Sequence, residues 1–246
     1  MPDAEPVVPK PLKKKVHRFC NKLHAALGEN LESIVLYGGL AKGDEYHPRS
    51  SDVNVMLVLT EVNVDALDSI ATPIRRARKA FRLSPMILSE RDLASSTDVF
   101  PIKFLDIKHH HRILFGKNLL KDLAIDDEHL RLRCEQEIKN HLFRLRSQYL
   151  NRTPHTRQLR DALISSISPL LHTFNVLLFL ETSRSPVLKG ETIQSLEKDL
   201  GLDGESLKQI LAMKRGEYRP RAAQIRSLFD NLIASVEKAA NLADGL

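Results

Sequence analysis

The chain has 246 residues, 42% of them hydrophobic and 28% charged, and a formal net charge of +6. That composition excludes a disordered or fibrous protein, and the length suffices for one large domain or two small ones. Aromatics at 5% and the absence of Trp argue against a base-stacking platform for single-stranded nucleic acid, while the modest positive excess leaves anionic partners open.

Residues 1–15 open Pro-rich and polar and end in Lys13, Lys14 and Lys15. With no apolar run behind them they read as a flexible basic terminus rather than a secretory segment. Val16, Phe19, Leu23 and Leu27 recur at steps of three to four and predict a helix over 16–27, stopped by Gly28 and Asn30. Residues 33–37 form a β-branched apolar run ending at Gly38–Gly39, a strand followed by a turn. A polar stretch over 42–51, punctuated by Gly43 and Pro48, precedes a second strand at 53–59. Residues 65–83 read as a helix with Arg75, Arg76, Arg78, Lys79 and Arg82 on a solvated side. Residues 85–88 and 101–107 are further strand candidates, and 112–116 is another.

From Asp126 the pattern changes to helix after helix. Leu130, Cys134, Ile138, Leu142, Leu145 and Tyr149 make one apolar stripe, preceded by Asp126 and Asp127 as capping carboxylates. Pro154 breaks that helix, and a long apolar helix over 159–180 begins after it. It contains Pro169, His172 and Asn175 and falls short of a membrane span, so it reads as a kinked core helix and no membrane partner is expected. Helices over 191–200, 206–214 and 222–240 complete a bundle. Cys20 and Cys134 cannot build a disulfide framework and read as reduced, small hydrophobes of a cytoplasmic protein.

The stretch that carries chemistry runs from Leu36 to Gly43 and again from Ser50 to Val55. A strand runs into two glycines that open a short helix. Glycine lets backbone approach a ligand closely, and a helix start offers free N–H groups to phosphate. Residues two apart on a strand share a face, so Asp52 and Asn54 are expected to point together at whatever the turn holds. A phosphate cradle facing a carboxylate suits a magnesium-bound nucleotide. The plainer reading is a tight strand-to-helix turn with no ligand.

This order, a glycine pair, a polar gap and Ser–Asp–x–Asn on a strand, resembles the nucleotidyltransferase superfamily that includes DNA polymerase beta. Within it the sequence is most similar to small bacterial and aminoglycoside-type nucleotidyltransferases with a helical C-terminal domain. Thirteen positions separate Gly39 from Asp52, as in the family. The resemblance implies an α+β fold: a nucleotidyltransferase-like mixed sheet with flanking helices over 16–123, then an all-helical bundle over 124–246. It also implies transfer of a nucleoside monophosphate from a nucleoside triphosphate to a hydroxyl on a small molecule or protein, with Mg²⁺ held by three carboxylates. Gly38 and Gly39 match the phosphate-binding turn. Lys42 falls where relatives carry a basic residue near the triphosphate, and Ser51 flanks the first metal carboxylate, Asp52.

Two departures follow. The second metal carboxylate falls on Asn54, which is neutral and offers only a carbonyl oxygen. The third normally lies on a later strand between apolar residues, where Leu105–Asp106–Ile107 and Ile102–Lys103–Phe104 both fit. With Asp106 in that slot, Asp52 and Asp106 are the catalytic pair and Asp52, Asn54 and Asp106 the metal ligands. With Lys103 there, an ammonium stands beside Asp52 in place of a metal. An impaired enzyme and a degenerate nucleotide-binding or protein-interaction module therefore both remain.

The other clusters have plainer readings. His109, His110 and His111 are consecutive and do not converge on one ion. His155 and His172 stand alone. The basic runs at 13–15, 75–82 and around Pro220 are solvated faces without interleaved aromatics, so nucleic acid is not expected. Some companion helical domains of this superfamily are ribonucleases with an Arg followed four to six residues later by His. Arg133 and His141 are too far apart for that pattern, so the helical half reads as a substrate-closing or dimerising bundle.

Overall fold

The computed structural model describes residues 9–43, 51–153, 155–186 and 188–246. The polar stretch at 44–50, with Pro48 and Ser50, and the helix-breaking Pro154 lie outside the described residues. The chain divides into two compact units between Asp126 and Asp127.

In the first unit, α1 (Lys10–Leu27) starts earlier than its periodicity predicts, so residues 10–15 are helical rather than a flexible terminus. A proline in its first turn occupies a position whose N–H would have no helical partner. After a 3-10 turn come β1 (Leu31–Tyr37), the four-residue α2 (Gly39–Lys42) and β2 (Val53–Leu59). Next, α3 (Val64–Phe81) is capped by the Asn63 side chain, which accepts from the Ala66 N–H at 2.9 Å. β3 (Leu83–Ser89), α4 (Glu90–Ser95), α5 (Pro101–His109) and β4 (His111–Gly116) complete the unit.

The sheet has the order β3-β2-β1-β4 and is mixed: β1 is antiparallel to β2 and β4, and β2 is parallel to β3. Both of its faces are covered. Ile34, Leu36, Val53, Val55 and Leu57 pack with Leu12, Phe19 and Leu23 of α1 and Ile70, Ala77 and Phe81 of α3. Val35, Met56 and Val58 pack on the other side with Phe104 and Ile107 of α5. Burial on both faces explains why β2 reads as a continuous apolar run.

One expected strand is a helix. The segment 101–107 is the helix α5, so neither Asp106 nor Lys103 lies on a strand. Pro101 presets the first helical turn, and burial of Pro101, Ile102, Phe104, Leu105 and Ile107 follows a helical stripe. A short apolar run of this length fits either period, and here packing against the sheet selects the helix.

The second unit comprises α6 (Asp127–Arg152), α7 (Thr156–Thr182), α8 (Lys189–Leu200), α9 (Gly204–Arg215) and α10 (Ala222–Asp244). Among the described residues only α7 is long and apolar enough to cross a membrane by length and composition. Its Leu163, Ile167, Leu170, Phe174 and Leu177 are wholly buried and form the centre of this unit.

Candidate functional site

β1 leaves the core at Tyr37 and turns at Gly38, whose φ of 76° lies where L side chains are strained. A Cβ there would come within 2.7 Å of the Asn54 amide nitrogen, so glycine is also needed for the close approach of β2. The Gly38 carbonyl accepts from the N–H groups of Ala41 at 3.0 Å and Lys42 at 3.1 Å, which starts α2. Among the described residues no side chain caps the N–H groups at the start of this helix.

Strand pairing sets Ser84, Asn54, Tyr37 and His111 opposite one another across all four strands. Paired residues share a face. The row below them, Met86, Met56, Val35 and Ile113, packs against α5, so the polar row lies on the α5 side, at the end of the sheet beside the glycine turn. Burial pushes the Tyr37 phenol above its ordinary pKa, so it is a neutral donor at neutral pH.

The charged candidates are engaged in ion pairs. Asp52 precedes β2, and its Oδ1 accepts from Arg82 Nε at 3.0 Å and pairs with Arg82 Nη2 at 2.9 Å. Arg82 is the C-cap of α3 with φ 54°, and its carbonyl accepts from the Val53 N–H, which ties it to the start of β2. Asp106, on α5, pairs through Oδ1 with Lys42 Nζ at 2.5 Å in a half-buried contact. Arg82, not Lys103, is thus the cation on Asp52, and Lys103 is exposed on α5. Ser51 is half-buried just ahead of Asp52.

His110 caps the end of α5. Burial lowers its imidazole pKa, the Lys42 charge lowers it further, and Asp106 opposes both. His111 Nδ1–H donates to the carbonyls of Ile107 at 2.9 Å and Lys108 at 3.0 Å. The three histidines therefore divide between helix end, cap and strand and do not meet at one point.

These donors do not fit a two-magnesium centre. β3 and β4, with sequences LSPMILS and HRILFG, carry no Asp or Glu, and the residue beside Asn54 on β3 is Ser84. Asp52 is neutralised by a guanidinium and Asp106 by an ammonium. Among the described residues no three His, Cys, Asp or Glu side chains are grouped to hold a metal ion. Of the expected ligands Asp52, Asn54 and Asp106, the third projects from a helix rather than a strand and pairs with Lys42.

Sequence reasoning missed Tyr37, Ser84 and Arg82. Tyr37 adjoins the glycine pair and was open to notice, but Ser84 and Arg82 reach the site only through the β2–β3 pairing.

The mixed sheet, the glycine turn after β1 and the helical second unit define a nucleotidyltransferase-like fold. No family model and no curated protein matches the sequence. Among solved structures, the chain is similar to spectinomycin adenyltransferase AAD(9) from Enterococcus faecialis, crystallised with ATP and spectinomycin. The match covers 91% of this chain and 98% of that one, with a TM-score of 0.56 and 12% sequence identity. At that identity the likeness is one of fold.

Proposed function

We propose that this protein binds a nucleoside triphosphate at the Gly38–Gly39 turn and has lost magnesium-dependent transfer of a nucleoside monophosphate to a hydroxyl acceptor. The observation that carries the reading is the acid-free β3 beside a neutral Asn54, with Asp52 held by Arg82. Two divalent cations between phosphate oxygens need several carboxylates to hold them. Even changes to groups behind the ligands cost about 10–100-fold in metal affinity or activity, so loss of two ligands is expected to be at least as severe.

Binding does not need the same set. The amides of the turn suit phosphate oxygens, and Lys42, which pairs with Asp106, lies at the other end of the same short helix. Asn54, Tyr37 and Ser84 offer neutral hydrogen-bonding groups for the nucleoside. The neighbour of like fold was crystallised with ATP and spectinomycin, which makes a nucleoside triphosphate the ligand class to test first.

The test is pyrophosphate release with each of the common nucleoside triphosphates and magnesium, for wild type and for Asn54→Asp. Wild type is expected to release none, and so is the variant, since a third acid is still missing. Steady release by wild type would return the protein to the active transferases.

A further inference from the structure

We propose that the outer face of α6 is a self-association surface, on which a second copy of this chain docks antiparallel to form a two-fold dimer. The face lies within the second unit and is independent of the nucleotide reading. Leu132, Gln136, Asn140, Phe143, Ser147 and Leu150 follow one another at steps of four or three, so they share one side of the helix, and all six are exposed. None of them is charged, although ten of the 26 residues of α6 are. The three large apolar members are open to solvent, Leu132 by 49%, Phe143 by 59% and Leu150 by 77%.

Three observations make a second copy the occupant. First, a solvated helix face ordinarily collects the charged residues, whereas the core of an interface is depleted of them and holds apolar and aromatic side chains. The opposite side of α6 is already used, since Leu130, Cys134, Ile138, Leu142 and Leu145 are buried in the core of the unit. Second, the charge of α6 is divided along its length. Residues 127–137 carry all four of its acids against two bases, and residues 139–152 hold Lys139, Arg144, Arg146 and Arg152 with no acid. An antiparallel copy sets each acidic half against a basic half, and a parallel copy sets like against like. Arg133, Lys139 and Arg146 already pair within the unit, so these charges fix orientation more than affinity.

Third, the face matches itself. A two-fold interface needs a patch complementary to its own copy. Leu132 and Leu150, the apolar ends, lie about five helical turns apart and so on one line. With Leu132 of each copy set against Leu150 of the other, the two-fold axis falls opposite position 141, midway between them. The two Phe143 side chains then stand on either side of the axis, about 6 Å apart along the helices, where rings can pair. A polyanion suits this face poorly, because acids flank half of it. A seam on a single helix covers less than the roughly 800 Å² per partner of a standard interface, so the dimer is expected to form in the micromolar range.

Sedimentation equilibrium of the full chain, from low micromolar to submillimolar concentration, tests the association. A monomer–dimer equilibrium is expected, weakened about tenfold or more by Phe143→Glu, which brings two like charges together at the axis. Orientation is read separately from single-cysteine additions, Leu132→Cys in one chain and Leu150→Cys in a second, tagged chain, oxidised with copper phenanthroline. The mixture is expected to form a disulfide-linked pair of one chain of each kind, and either variant alone to stay unlinked. Cys20 and Cys134 are buried and do not compete. A chain that stays monomeric throughout the range, a dimer indifferent to Phe143→Glu in a variant with unchanged circular dichroism, or cross-linking of like with like would each overturn the proposal.

Discussion

Gly38 and Gly116 both sit at positive φ, yet their neighbours differ in kind. A Cβ at Gly38 meets the end of a side chain, Asn54 Nδ2 at 2.7 Å, whereas at Gly116 it meets the Glu32 backbone carbonyl oxygen at 2.0 Å. The first neighbour can rotate aside and the second is held in the β1–β4 pairing. Gly38→Ala is therefore expected to cost about 1–3 kcal/mol of conformational strain, and Gly116→Ala distinctly more, with β4 displaced. Urea unfolding of the two variants measures this, and equal losses would contradict it. Cysteine chemistry follows from burial too: the Cys20 thiol is pushed up to about 11 and the Cys134 thiol to about 12. Since the thiolate is the reactive form, neither is expected to react with a disulfide reagent at pH 8 in the native protein, and both are expected to react in denaturant. At this scale the sequence shows Gly38, Gly39, Asp52 and Asn54 plainly. It hides their partners, because Arg82 and Lys42 are distant in sequence from Asp52 and Asp106 respectively, and ion pairs of that separation leave no periodic trace.

Helix α5 is where local pattern and packing part company. Residues 101–107 alternate well enough to pass for a strand, but Pro101 starts a helix and the α5 side of the sheet needs Phe104 and Ile107 as its cover. The same element ends at His109 and His110, whose pKa values are lowered mainly by burial. A helix C-terminus favours a cation, so here desolvation outweighs the dipole. Their contribution to stability is present above the unfolded histidine pKa, about 6.5, and is lost as pH falls through the lower folded values. Thermal unfolding between pH 8 and 5 is expected to show this loss, and His110→Gln to reduce it; an unchanged slope in the variant would exclude His110 as a source. Caps offer a second check on element ends. Asp203 accepts from both the Ser206 N–H at 3.0 Å and the Ser206 hydroxyl at 2.6 Å, and so starts α9. Asp203→Ala is expected to cost about 1–2 kcal/mol, more than Asn63→Ala at the exposed start of α3, in the same denaturation assay.

The second unit was legible from its stripes alone: all five helices lie where their apolar spacing places them, with ends moved by a few residues. The first unit needed tertiary information, since the acid-free β3 acquires meaning only once it is paired with β2. A glycine turn whose nearby acids pair with Arg82 and Lys42 is what the proposed nucleotide binding without metal-dependent transfer rests on. Calorimetric titration of nucleoside triphosphates, in EDTA and again in magnesium, tests it most directly. Saturable binding of comparable affinity is expected in both. Binding only with magnesium, or no binding in either, would contradict it.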